Sequence, residues 1–209
     1  RSGASQMSTA LTAKELHRSN QEREATSKTL FGFWVYIMTD CVLFASLFAT
    51  FTVLRNSTNG GPSGADLFSL PFVLAETVAL LTSSYTAGLG LLAARRRDKN
   101  QVFFWFGITM LLGIFFLTME ISEFHKLVLE GNSWRRSGFL SAFFTLVGTH
   151  GLHITTGLVW MTVMLYKIYN KGVTAVNLKR LTMLSLFWHF LDIIWIFIFT
   201  IVYLIGVKA

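Results

Sequence analysis

Five apolar stretches, each long enough to cross a hydrocarbon layer as a helix, dominate this chain of 209 residues. A crossing takes about 20 residues at a rise of about 1.5 Å each. The stretches lie near residues 31–54, 71–94, 101–125, 138–166 and 181–206. Backbone N–H and C=O groups find no water inside a bilayer, so each stretch must satisfy its own as a helix. The expected fold is therefore an all-α membrane protein, a five-span transmembrane helix bundle spanning residues 30–209. Composition agrees: 53% of residues are hydrophobic and only 14% are charged, too apolar a balance for an ordinary soluble domain.

The basic residues fix a topology. Arg1, Lys14, Arg18, Arg23 and Lys28, then Arg95, Arg96, Arg97 and Lys99, then Lys167, Lys171, Lys179 and Arg180 put thirteen on one side. Arg55, Lys126, Arg135, Arg136 and Lys208 put five on the other. The positive-inside rule makes the first side cytoplasmic, with the N-terminus inside and the C-terminus in the periplasm. The net charge of +7 is thereby explained by topology and anionic lipid, with no nucleic acid partner. Residues 1–29 are polar, lack the apolar core of a cleavable signal, and read as a mobile cytoplasmic tail. Its first residues, RSGASQ before Met7, read as remnant, tag or processed sequence.

The connections are short. RNSTNGGPSGADLFSLP is a turn-forming loop ending in Pro71, which suits a first helical turn. RRRDKNQ is brief enough to make the second and third spans antiparallel neighbours. LEGNSWRRSG and YNKGVTAVNLKR are similarly compact, and no stretch could build a second domain. Gly148, Gly151 and Gly157 mark close helix approach on the fourth span. Trp34, Tyr36 and Tyr203 fit interfacial belts. The single cysteine, Cys41, has no partner for an internal disulfide and is expected to be an inert buried thiol.

Within these spans stand ionisable residues that hydrocarbon penalises: Asp40, Glu76, Glu120, Glu123, His125, His150, His153, His189 and Asp192. His150 and His153, His189 and Asp192, and Glu120 and Glu123 are each three apart and share a helical face, which should turn inward. Counting the rise from each helix start places Asp40, His150, His153, His189 and Asp192 from the midplane toward the cytoplasmic half. Glu76, Glu120, Glu123 and His125 fall nearer the outer face. A lone carboxylate there takes up a proton, whereas one beside a histidine can share it, so Asp–His or Glu–His contacts between spans are expected.

Four readings remain open on spacing alone. His150 or His153 opposite His189 could hold a haem. His150, His153, His189 and Asp192 could hold a metal. The acids and histidines could line a proton or solute path, although the spans show none of the repeats or broken helices of a complete transporter. Finally, they could form an internal polar network that only orients helices.

Long motifs on different spans narrow this choice. FGFWVYIMTDCVLFASLFATF, PFVLAETVALLTSS, MEISEFHKLV, SGFLSAFFTLVGTHGLHITTGLVWM and LFWHFLDIIWIFIFTIVYLIG together resemble subunit III of the haem–copper respiratory oxidases. The likeness covers residues 30–206 and is strongest to the bacterial cytochrome bo-type ubiquinol oxidase branch. Within it, Asp40 stands where the cytochrome c oxidase branch more often has Glu, PFVLAET around Glu76 has the quinol-branch form, and five spans suit that branch.

The resemblance implies a non-catalytic subunit, without haem, copper or other metal of its own, in a proton-pumping terminal oxidase of the bacterial inner membrane. Haems and copper would belong to subunit I, against which this chain packs, alongside subunit II and a small subunit IV. Bound phospholipid, oxygen access to subunit I, support of proton uptake, assembly and durability are the further implied roles. The alternatives are subunit III of a cytochrome c oxidase and, from other classes, a free-standing proton-coupled transporter or a haem-b membrane cytochrome.

Overall fold

The computed structural model describes residues 2–58, 70–132 and 134–205, and among them it is helical throughout, with no strand. The helices are α1 (Ser2–Leu54), α2 (Leu70–Arg95), α3 (Lys99–Leu129), α4 (Gly138–Lys171) and α5 (Ala175–Ile198), the last continuing as a π-helical turn over Phe199–Leu204. Most of the loop expected at 55–71 falls at 59–69, outside the described residues.

Local chemistry explains the boundaries. Pro71 sits in the first turn of α2, where its missing N–H costs no helical bond. The side chains of Asp98, Ser137 and Thr174 cap α3, α4 and α5 by accepting from Gln101 N, Leu140 N and Asn177 N at 3.2–3.3 Å. Gly172, at φ +70°, ends α4 in a conformation that a Cβ would disfavour.

Among the described residues, four helical segments are long and apolar enough to cross a membrane: Ser27–Leu54 of α1, α2, α3 and Ala175–Leu204. Helix α4 is not among them. Its 34 residues would reach about 51 Å, so length is ample. His150, His153 and the threonines between Thr145 and Thr156 lower its apolarity instead.

Two compact units divide the chain, residues 1–41 and 42–209. The first is the N-terminal part of α1, in which Asp40 is buried while Trp34, Tyr36 and Cys41 are exposed. Cys41 is thus not the buried thiol expected of it.

In the second unit α2, α3, α4 and α5 form a closed ring, α2 against α3, α3 against α4, α4 against α5, and α5 back against α2. Every seam is antiparallel. Thr86 bonds Thr109 across α2 and α3 (2.8 Å). On α3 and α4, Lys99 Nζ donates to the Tyr169 carbonyl at 2.8 Å and lies over the Tyr169 ring, while Phe124 meets Phe143 at the other end. Residues 42–54 of α1 lie outside this ring, with Phe44 against His150 and His153, Phe51 against Phe139, and Phe48 against Phe197.

Glycines make the close approaches possible. A Cβ on Gly113 of α3 would come within 2.9 Å of the Trp188 indole, and one on Gly157 of α4 within 3.0 Å of the same ring. Trp188 of α5 therefore fills a slot that two missing side chains create. Gly151 is equally tight against Glu120, whereas Gly148 meets Phe124 only at an ordinary 3.7 Å.

Candidate functional site

The polar residues gather at two levels of the ring. The first is built on the seam between α2 and α5. Trp188 Nε1 donates to Ser83 Oγ (3.0 Å), and Ser84 Oγ is hydrogen-bonded to His189 Nδ1. That serine also faces the Asp192 carboxyl group, although neither Asp192 oxygen has a hydrogen-bond partner among the described residues. Spacing sets this cluster: His189 and Asp192 share a face of α5, while the adjacent Ser83 and Ser84 of α2 serve Trp188 and His189.

Seven residues further along α5, Trp195 opens the second level, about 10 Å away along the axis. Its Nε1 donates to Thr77 Oγ1 (3.0 Å), next to Glu76. Its ring lies 5.3 Å from that of His150, and Phe116 stands edge-on to both. Phe44 covers a further side of His150. Fully buried among these rings, His150 has no hydrogen-bond partner for either nitrogen among the described residues.

Beside His150 is an acidic group. Glu120 of α3 rests on Gly151, where a Cβ would lie 2.6 Å from its Oε1. Glu76 of α2 is within electrostatic reach of Glu120 and Glu123. Tyr203, in the π-helical turn, donates its hydroxyl to Glu123 Oε2 at 3.1 Å and faces all three acids. Tyr203 is fully buried, so it is no member of an interfacial belt. Tyr203 stands about three helical turns beyond Asp192 and so on the inward face of the helix, within the π-helical turn.

These placements differ from depth counting in one respect. His150 lies at the level of Glu120 and Trp195, not with His189. The packing of Glu120 on Gly151 sets this register, and a rise counted separately along each helix carries no information about it. The structure leaves His125 exposed and away from Glu120 and Glu123. His153 Nδ1 donates to the Thr149 carbonyl on its own helix (2.8 Å), and its ring is 5.3 Å from Phe44. The partner found for His189 is a serine hydroxyl, not the carboxylate expected.

The ring of His150 packs against Trp195, six residues beyond His189 on α5, whereas that of His153 lies 6.4 Å from Phe187. Among the described residues no three His, Cys, Asp or Glu side chains converge as metal ligands do. Sequence reasoning missed Thr77, Ser83 and Ser84, small hydroxyls whose only signal is spacing on α2 that matches the tryptophans of α5.

Taken together, a ring of apolar helices with carboxyl and imidazole groups turned inward defines a helical membrane subunit. The profile of the cytochrome c oxidase subunit III family matches residues 13–207, and the chain belongs to that family. It is similar to cytochrome bo(3) ubiquinol oxidase subunit 3 of Pseudomonas aeruginosa, 54% identical over 96% of this chain and 99% of the relative. It also resembles the protein of that name from Pseudomonas putida, 56% identical over 86% of each chain. Cytochrome c oxidase subunit 3 of Bacillus sp. strain PS3 is 44% identical over 96% of this chain and 97% of the relative. Family membership makes this chain one subunit of an oxidase complex.

Proposed function

We propose that this chain is subunit 3 of a cytochrome bo(3)-type ubiquinol oxidase in the bacterial inner membrane, a subunit that supports the complex without carrying its redox chemistry. The observation behind this choice is the near full-length likeness, at 54–56% identity, to two subunits of that name, against 44% for the cytochrome c oxidase relative described above. Subunit I, expected to hold the haems and copper, is the direct packing partner, with subunit II and a small subunit IV completing the assembly. Phospholipid bound to the bundle, and an apolar route for oxygen toward subunit I, belong to the same reading.

The topology belongs to it as well: five spans, residues 30–209 as the membrane domain, residues 1–29 as a cytoplasmic tail, and a periplasmic C-terminus. Two observations support five crossings. Thr77 meets Trp195 while Ser83 meets Trp188, so α2 and α5 run antiparallel, as they must if both α3 and α4 cross between them. Lys99 at the start of α3 bonds the end of α4, which puts those two ends on one side.

Affinity purification through a tag on this chain, in mild detergent, is the test. A large haem-bearing subunit, ubiquinol oxidation and a reduced-minus-oxidised haem spectrum are expected in the eluate. A chain that elutes without any haem-bearing partner, or with cytochrome c oxidation only, overturns the proposal. Alkaline phosphatase fused after Ala209 should be active, as only a periplasmic C-terminus allows.

A further inference from the structure

We infer that Glu76, Glu120, Glu123 and Tyr203 form an internal proton-binding site, closed by His150 and Trp195, with Glu123 its least buried member. The inference goes beyond the oxidase reading and does not rest on it.

The geometry begins with charge. Three carboxyl groups from two helices lie within electrostatic reach of one another, and the cation reaching them is Lys126, near Glu123 at the end of α3. Glu76 is wholly buried and neither of its oxygens has a hydrogen-bond partner among the described residues. Glu120 is 3% exposed, and its Oε2 is also without one. Three carboxylate charges so close in a low-dielectric interior would repel strongly and lack solvation, so the group must hold protons.

Where the remaining negative charge sits follows from the hydrogen bonds. Glu123 is only half-buried, receives the Tyr203 hydroxyl and has Lys126 one turn along α3, and it is the group assigned the anion. Glu76 and Glu120 hold their protons as carboxylic acids. Their positions make a short inward sequence: Glu123 half-buried near the C-terminal end of α3, Glu120 one turn deeper, and Glu76 opposite on α2.

Three independent features show that the fold is built around this group. Gly151 leaves room for the Glu120 carboxyl where any side chain would collide with it. The π-helical turn of α5 carries Tyr203 to Glu123. His150 is fully buried with both nitrogens unpartnered, in an aromatic wall next to the residue on which Glu120 rests. The titratable groups facing the site from each packed element are therefore Glu76 on α2, Glu120, Glu123 and Lys126 on α3, His150 on α4 and Tyr203 beyond α5.

Infrared difference spectroscopy on the chain, purified in detergent with its accompanying subunits, tests this. At neutral pH, Glu76→Gln and Glu120→Gln should each remove a carboxylic acid C=O band from the spectrum, and the double variant should remove both. Glu123→Gln should leave those bands in place and remove a carboxylate band instead. Asp98→Asn, at the exposed cap of α3, is the control and should remove no acid band. Unchanged acid bands in Glu76→Gln and Glu120→Gln overturn the site. Failure of both glutamine variants to assemble also counts against it, because a neutral isostere should be tolerated where a neutral acid stands. An acid band lost in Glu123→Gln overturns the assignment of the anion.

Discussion

Two levels of one helix seam treat polarity in opposite ways. Around Trp188 the indole and the His189 imidazole of α5 find hydroxyl partners on α2 while Asp192 does not, and the indole fills the slot left by Gly113 and Gly157. Around Trp195 the indole is satisfied by Thr77 and Glu123 by Tyr203, while Glu76, Glu120 and His150 keep buried atoms without partners. The first arrangement is what a helix clasp needs: steric fit plus one hydrogen bond per donor. The second costs stability, because a buried polar group without a partner forfeits about 1–3 kcal/mol. More of that cost falls at the Trp195 level, where three side chains keep unpartnered atoms, than at the Trp188 level, where Asp192 alone does.

The clasp should be the easier level to break. In Gly157→Leu a branched side chain would have to occupy the space of the Trp188 ring, which is already fixed on its other side by Gly113. Overpacking of this kind costs about 1–3 kcal/mol, and more when a rigid ring cannot yield. We expect the assembled complex to fall severalfold in membranes and its melting temperature to drop. A wild-type melting profile in Gly157→Leu would mean that the slot is looser than these contacts show.

An intermediate effect is expected at the second level. In Gly151→Ala the new methyl meets a carboxyl at the end of a flexible chain, not a fixed ring, so Glu120 can swing aside. The loss should be about 1 kcal/mol, within the ordinary range for point substitutions. Glu120→Ala removes the obstacle, so the double variant Gly151→Ala/Glu120→Ala should be more stable than the two single losses added together. Strict additivity in thermal melts would show that the methyl and the carboxyl never meet.

Much of this arrangement was legible in the residues. Length and apolarity located the five helices, and the boundaries fell close to the expected 71–94 and to the expected end at 54 and start at 138, because caps such as Ser137 are local signals, whereas α1 begins at Ser2 and not at 31. Inward faces were legible too, since His189 with Asp192 and Glu120 with Glu123 follow helical spacing. Register was not legible. Nothing local reports which residue of α3 stands against which residue of α4, so the contact of Glu120 with Gly151 is not readable from a rise counted along each helix separately. Tyr203 misled for another reason: an aromatic near a helix end reads as interfacial, although it stands about three turns beyond Asp192 on the same face. Cys41 failed for a simpler reason: in a bilayer an apolar helix carries apolar residues on its lipid face as well, so apolar neighbours do not mean burial.

The smallest effect should come from the one bond that both levels have in common in kind, an indole donating to a hydroxyl of α2. Thr77→Val keeps the shape but leaves Trp195 Nε1 without its 3.0 Å acceptor. Trp195→Phe removes the donor, and with it the ring that backs His150 at 5.3 Å. Hydrogen bonds between membrane helices average about 0.6 kcal/mol by double-mutant cycles, because the separated helices also find partners. The cycle of Thr77→Val and Trp195→Phe should therefore return a coupling of about 0.6 kcal/mol, as should Ser83→Ala with Trp188→Phe if the two bonds are equivalent. A coupling several times larger at Trp195 alone would show that Thr77 also orders Glu76, the next residue on α2. The boundary between clasp and proton site would then lie on the Thr77 hydroxyl.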